Sequence, residues 1–564
     1  MAAEDAGVPG PPAAVVDEPL PGGTSAGRAA GQDGTGWASP GRLAWIAAFA
    51  VAGVALFLCY LRVSATQAVA PDGASNALEA WSMLHGNPLL RGWTLTDVSF
   101  YTTELPEYVA VELIRGLGPE VVHTAAAFTY ALLTLLAGLV AKGRATGREG
   151  VARALIGSGL MLAPQLGSSV YILLGSPDHV GTGVPLLVTF LVLDRAPRRW
   201  WTPLVIALML TWAMIGDSLT LFAAVIPLAV VCAIRLYRGL VVGGKALAAQ
   251  WFEVSLIVAC LAAAGLSALV LRVIGRLGGF ALLPRAKRLS GTAAIPGHLW
   301  LAAKGVLALF GADMFGRPQG AEAVIVWFHL VGVGLVAWAA CRALRRFFSG
   351  DDLLVQVLVV AIVVNLAAYV ISTLPVALVD TREIAPILPF GAVLAGRLLA
   401  GEAVKARLRP IAPAAAVVLA CYVAALGFAT AQPGAPAGRN EVLADWLVAH
   451  HLDTGLGVYT EDNITTLDSG GRLLLITASW EPTGAAPRAY QSEASWYDPR
   501  LRYADFVVNT SVDGPRSDIP YRDLRAAFGR PAVTYHVGPF YIMVWHKNLL
   551  DDLRGRPVHN SGNL

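Results

Sequence analysis

Four polar side chains in one short stretch have the types and the spacing for chemistry. Asp72, Ser75, Asn76 and Glu79 recur at i, i+3, i+4 and i+7, so a helix over 71–81 carries them on one face. Ala77, Trp81 and Leu84 fall on another face, and Gly86 followed by Pro88 stops the helix. Downstream, Ser99–Tyr108 mixes Glu104 and Glu107 with Phe100, Tyr101 and Tyr108. Further charge falls at Asp178-His179, at Asp217, at Asp313 and at Asp380, Arg382 and Glu383. A basic group lies in 275–321: Arg276, Arg285, Lys287, Arg288 and Arg317. Carboxylates exchange protons near neutral pH, and clustered cations suit an anion such as a phosphate, with lipid-headgroup contact as the plainer use.

The elements that must hold these residues are membrane helices. The chain has 564 residues, 55% hydrophobic and 14% charged, where a soluble domain carries about a quarter charged residues. Apolar runs of about 20 residues recur along it, which defines a polytopic α-helical membrane protein. A net charge of +3 gives no reason to expect nucleic acid. Cys59, Cys232, Cys260, Cys341 and Cys421 sit in apolar runs without metal-ligand spacing and read as small packing residues. Residues 1–40 are rich in Gly, Ala and Pro, lack apolar periodicity and are expected to be disordered and cytoplasmic. The first apolar run is too long for the core of a signal peptide.

The pattern predicts about eleven spans, at 43–62, 121–141, 151–174, 180–194, 200–215, 217–234, 251–274, 322–341, 353–374, 383–400 and 410–431. Placing the N-terminus in the cytoplasm makes every inner loop basic, from Lys142, Arg144 and Arg148 to Lys405, Arg407 and Arg409. That orientation puts 63–120 outside as a large first loop, with its first helix lying on the membrane. It also puts 432–564 outside, after a membrane domain over 41–431. The tail changes character: Arg439–His451 reads as a helix, and 456–460, 473–477, 505–509, 533–537 and 540–545 read as strands, an extracytoplasmic α/β domain. Asn463 and Asn509 match glycosylation tripeptides, which arise often by chance.

The span middles hold few ionisable residues. Gln165, His329 and Asn365 are the main polar ones, which argues against an ion-coupled pathway through the membrane. The sequence has no P-loop, dinucleotide fingerprint, HExxH or GxSxG. Energy for a reaction would have to arrive with an activated, membrane-borne substrate.

This layout resembles the GT-C class of polytopic glycosyltransferases. The resemblance rests on Asp72 just after the first span, a large first outer loop, a second acidic position at Asp178 or Asp217, and Thr381-Arg382-Glu383-Ile384-Ala385-Pro386-Ile387-Leu388-Pro389 opening a late span. The tail stretches Gly455-Leu456-Gly457-Val458-Tyr459-Thr460 and Leu467–Arg472 resemble those of uncharacterised actinobacterial members. Asp72 is followed by Gly73 rather than Glu, and no WWD-type tail motif is present, so protein mannosylation and Asn-glycosylation are not expected.

The resemblance implies an inverting transfer of sugar from a polyprenyl-phosphate donor to a glycan or lipid acceptor of the cell envelope, at the outer face, among membrane lipids. Asp72 would be the general base, with Glu104 as runner-up; a helix N-cap is the other use for Asp72. Pro71 and Gly73 would fix its place and leave room for substrate. Arg382 would grip the donor phosphate, supported by Arg285, Lys287 and Arg288. Asn76 and Glu79 would position the acceptor. Asp178 and His179 would bind sugar hydroxyls, or Asp178 a divalent cation. Trp81, Trp93, Phe100 and Tyr101 would stack on sugar rings or anchor the interface. A lipid-linked glycan transporter or polymerase, or a non-catalytic envelope-assembly scaffold, are the competing roles.

Overall fold

The computed structural model describes residues 40–283, 289–314, 320–405, 411–436, 438–481, 484–510 and 519–555. Arg285, Lys287, Arg288 and Arg317, and the expected disorder over 1–39, lie outside the described residues. The chain divides at Ala50. The first unit contributes the start of helix α1 (Pro40–Ser64), where the Trp45 and Phe49 rings lie 6.2 Å apart. The second unit, Val51–Leu564, holds the rest of the fold.

Apolar runs punctuated by Pro and Gly set the helices. After α1 come α2 (Pro71–Leu84), α3 (Leu105–Arg115), α4 (Pro119–Lys142), α5 (Gly147–Leu160), α6 (Ser168–Leu174), α7 (Gly183–Arg195), α8 (Trp201–Gly216), α9 (Ile226–Tyr237) and α10 (Trp251–Arg276). Beyond them lie α11 (Ile295–Leu309), α12 (Ala321–Arg345), α13 (Leu353–Ile371), α14 (Ile387–Lys405) and α15 (Ile411–Thr430). Among the described residues 7 helices are long and apolar enough to cross a membrane, or 8 if the pair Leu378–Ile384 and Ile387–Ala400, bent by 54°, is one span. Trp201–Gly216 and Ala416–Thr430 are shorter apolar helices. The protein is a multi-pass membrane protein.

Three expectations change. The span at 151–174 breaks between α5 and α6, where Pro164 removes a backbone donor and Gly167 takes φ 62°. The span at 217–234 starts later, at Leu221, in a π-helical turn leading into α9. The region 275–321 is not only loop, because it contains α11. That helix starts beside the end of α13, where His298 Nδ1 lies 2.9 Å from the Val370 carbonyl. It ends with Gly311 against His329, in the middle of α12. Just beyond it, Asp313 accepts a 2.6 Å bond from Ser168. α11 is thus an apolar helix within a stretch read as an outer loop.

Small residues let the central helices approach. A Cβ on Gly157 of α5 would lie 2.8 Å from the Ala141 Cβ of α4, and one on Gly396 of α14 would lie 2.7 Å from the Arg153 carbonyl. Membrane helices without a hydrophobic drive between them gain most from such close backbone packing.

The tail holds α16 (Arg439–Ala449), α17 (Tyr459–Asp468) and α18 (Tyr521–Phe528). Before the tail, the chain forms two short strands, β1 (Trp93–Leu95) and β2 (Ala281–Leu282). The tail adds β3 (Thr454–Gly457), β4 (Leu474–Glu481), β5 (Gly484–Pro487), β6 (Ser492–Glu493), β7 (Phe506–Asn509), β8 (Val533–Val537) and β9 (Phe540–Val544). Six strands form one mixed sheet in the order β5-β4-β3-β7-β9-β8, with β3 parallel to β4 across α17. The expected strand 456–460 thus ends early, and Tyr459 starts a helix instead. β6 pairs with β1, which pairs with β2, so three distant parts of the chain share one small sheet. Trp93 and Trp496 meet there edge to face at 5.1 Å. The tail thus shares a core with the first loop, and α17 packs on α2. α2 is correspondingly buried within the protein from Gly73 to Ala80. Asn463 and Asn509 are buried with their amides bonded, so neither presents a glycosylation acceptor.

Candidate active site

Asp72 lies in the first turn of α2, with Ala70 as the cap residue and no side-chain cap bond there. The capping use of Asp72 is therefore excluded, while the helix dipole still favours an anion at this end. Gly73 does not leave room for a substrate. A Cβ there would lie 2.8 Å from both the Ser176 Cβ and Val122 Cγ1, so Gly73 lets α2 press against the α6–α7 connection and α4. That contact brings Asp72 and Asp178 to one guanidinium.

Arg382, in the 3-10 turn Leu378–Ile384 ahead of α14, places Nη2 2.9 Å from Asp72 Oδ2 and Nη1 3.5 Å from Asp178 Oδ2. The other Asp72 oxygen accepts a 2.5 Å bond from the Tyr459 hydroxyl of α17. Asp178 is buried and also accepts bonds from Asn76 Nδ2 at 2.5 Å and from Ser176 Oγ at 2.6 Å. Burial and the neighbouring Asp72 raise its carboxyl above the usual range, against the pull of Arg382. Glu79, one turn beyond Asn76, is 1% exposed. Burial first, then Asp178 and Asp72, push its carboxyl well above the usual range.

The next residues along both connections build a second group. His179, at φ 61°, places Nδ1 2.8 Å from Asp217 Oδ2 and Nε2 3.8 Å from Glu383 Oε1. Burial works against its charge, but the Glu383 and Asp217 carboxylates outweigh it and push the imidazole up to about 10. Asp217 also accepts from Thr182 Oγ1 at 3.0 Å and from the Leu219 N–H at 2.8 Å. Glu104 Oε1 accepts from the Thr182 N–H at 2.9 Å and its hydroxyl at 3.2 Å, while Oε2 is buried without a hydrogen-bond partner. Burial and Asp217 hold Glu104 well above the carboxylate range. A cavity of about 450 Å³ opens beside it, lined by Thr103, Glu107, Gly181, Pro185, Leu208 and Trp212 among others. Glu107, bonded to Thr129, is pushed up to about 7 by burial.

The sequence-predicted residues thus split. Asp72, Asn76, Asp178 and Arg382 converge directly with Glu79 beside them; His179 and Glu104 belong to the adjoining group. Trp93 and Phe100 are core residues, which removes them as ring-stacking platforms. Among the described residues, no cluster of three or more His, Cys, Asp and Glu side chains could hold a metal ion; a guanidinium stands between the two aspartates instead. Sequence reasoning missed Tyr459, Gln491, Ser176 and Thr182. Tyr459 lay in the tail stretch that carries the family resemblance, but reading it as strand hid its direction.

No family model and no curated protein matches the sequence. Solved structures do. ArnT from Cupriavidus metallidurans bound to undecaprenyl phosphate aligns with TM-score 0.51 at 13% identity, over 91% of this chain and 99% of that one. The Archaeoglobus fulgidus oligosaccharyltransferase tethered with an acceptor peptide aligns at 12% identity and TM-score 0.44, over 82% of this chain and 69% of that one. ArnT in the apo state gives TM-score 0.40 at 15% identity, over 92% of this chain and 100% of that one. The fold is that of the GT-C glycosyltransferases.

Proposed function

We propose that this protein moves a sugar from a polyprenyl-phosphate donor to a glycan or lipid acceptor of the cell envelope, with inversion, at the outer membrane face. The observation that carries this reading is the Arg382 guanidinium held between Asp72 and Asp178, where buried polar atoms of Asn76 and Glu79 lack hydrogen-bond partners. Buried polar atoms cost stability unless something satisfies them, and a sugar brings hydroxyls that could. On the orientation argued from the basic loops, this group faces outward.

Asp72 takes the acceptor hydroxyl's proton as that oxygen attacks the anomeric carbon. The bond from that carbon to the phosphate oxygen breaks, and polyprenyl phosphate leaves with the electron pair. Arg382 meets the growing phosphate charge by exchanging a carboxylate contact for a phosphate oxygen. Two aspartates against one arginine leave the group acidic, so further cations are needed. Arg285, Lys287 and Arg288 are the proposed source. The residues flanking them are tied to this end of the molecule, Leu283 N–H to the Thr96 carbonyl at 3.1 Å and Leu289 in a bridge with Ser372. The apolar crevice beside Glu107 suits a lipid chain. Asn76 and Glu79 position the acceptor, and Asp178 binds sugar hydroxyls. The test is an in vitro transfer assay with a panel of polyprenyl-phosphate sugars. Transfer that depends on Asp72 is expected, and absence of transfer from every donor in the wild type overturns the reading.

A further inference from the structure

We propose that Tyr459, carried by the C-terminal domain, is a positioning residue for Asp72, so that the tail completes the site. This rests on the reading of Asp72 as the base.

A carboxylate has about four lone-pair directions. Arg382 occupies one on Oδ2 and Tyr459 one on Oδ1. Two directions remain, and at 26% exposure the side chain is still reachable. A base with one oxygen tied could rotate; with both tied, its remaining lone pairs point one way. That is what a near-attack geometry needs, because an angular error of the base is felt directly in rate.

Tyr459 is itself held. Its ring meets Tyr490 edge on at 4.8 Å, and the Arg488 guanidinium lies 5.5 Å from the Tyr459 ring and 5.3 Å from Tyr490. Its hydroxyl also contacts the Gln491 side chain. A phenol has one proton, so with that proton on Asp72 the Gln491 amide turns its N–H to the phenol oxygen. Gln491 is buried at φ 45°, a strained conformation for a non-glycine residue. One turn further along α17, Asn463 donates to Ser75 Oγ at 2.7 Å and to the Gln491 carbonyl at 3.2 Å. Two residues of α17 thus hold the first turn of α2, one at the carboxylate and one at Ser75.

Removing the phenol oxygen alone isolates this contact. The other ionisable groups facing Asp72 are Arg382, Asp178, Glu79, Tyr171 and Tyr490. All of them are retained in a Tyr459→Phe protein, which removes one oxygen and keeps the ring.

The experiment compares full-length wild type, Tyr459→Phe, Gln491→Leu and Asp72→Asn with polyprenyl-phosphate sugars, reading kcat and KM together with Tm in detergent. Tyr459→Phe should lower kcat by about tenfold to 10²-fold with donor KM little changed. Gln491→Leu should lower kcat in the same way by less, and serves if Tyr459→Phe does not fold. Wild-type kcat in Tyr459→Phe, beside an inactive Asp72→Asn, overturns the positioning role alone. A lower Tm with kcat per folded molecule unchanged marks a merely structural contact and overturns it too. A wild type inactive with every donor overturns the function and this role together.

Discussion

Two arginines stand at opposite ends of the stretch Leu378–Lys405, and their surroundings differ in kind. Arg397, 4% exposed, donates from Nε and Nη2 to the Val140 carbonyl at 3.0 and 2.8 Å. Its Nη2 also pairs with Asp194 at 2.7 Å and its Nη1 with Asp352 at 3.2 Å. It ties α14 to α4, α7 and the start of α13, and all three of its nitrogens are engaged. Arg382, 18% exposed, touches two carboxylates and nothing that closes the bundle. On the neighbouring α2, Asn76 Oδ1 and Glu79 Oε1 are each buried without a hydrogen-bond partner. Buried charge with its partners spent holds a structure together; buried charge among unspent partners is ready for a ligand.

The contrast breaks most sharply at Asp72. Asp72→Asn should cut transfer by about 10²–10⁴-fold, with Tm near wild type because Arg382 keeps Asp178. Full activity in that variant would move the base to Glu104. At the other end, Arg397→Ala removes the guanidinium paired with the Asp194 and Asp352 carboxylates and should cost about 3–5 kcal/mol of stability. Its activity per folded molecule should survive, and denaturant titration in detergent reads the difference; a normal midpoint would remove the structural role. Arg382→Lys keeps the charge but loses the fork that spans two oxygens. It should slow transfer by about tenfold, one charge-assisted hydrogen bond of about 1.5 kcal/mol, and equal loss in Tm and rate would contradict the contrast.

The remaining prediction concerns pH. His179 titrates near 10 in the fold, above the ordinary 6.5. Its folded pKa is raised, so the contribution of its imidazolium is fully present below about pH 6.5 and is lost as pH rises through 10. Thermal stability of the wild type should therefore fall more steeply between these values than that of His179→Gln. Parallel curves would show that the imidazole pairs with neither Asp217 nor Glu383.

Much of the bundle was legible because a membrane helix is a local object, with every backbone bond closed inside one apolar run. Local rules misled where partners lie beyond their reach. α11 is an apolar helix inside a stretch that reads as an outer loop. The break after α5 sits inside one continuous apolar run. Tyr459 comes after Gly-Leu-Gly-Val, a strand pattern that ends at Gly457, three residues sooner than the expected strand 456–460. Asp72 and Arg382 stood out individually, Asp72 just after the first apolar run and Arg382 among the charges that open a late one. Their pairing did not, since 310 positions separate them and nothing in either neighbourhood specifies the other.

The sequence by itself determined the solvent each segment belongs in, the near absence of ionisable groups from the span middles, and the presence of a sheet-forming tail. These come from composition and periodicity, which act over a turn of helix or a few residues of strand. Only the tertiary structure decided that α2 is buried beneath the tail, that one guanidinium joins two aspartates, and that a tail tyrosine reaches the same carboxylate. Hydrogen bonds and ion pairs act over about 3 Å, so which partners meet depends on how close helices pack, and here that closeness is set by the missing side chain of Gly73.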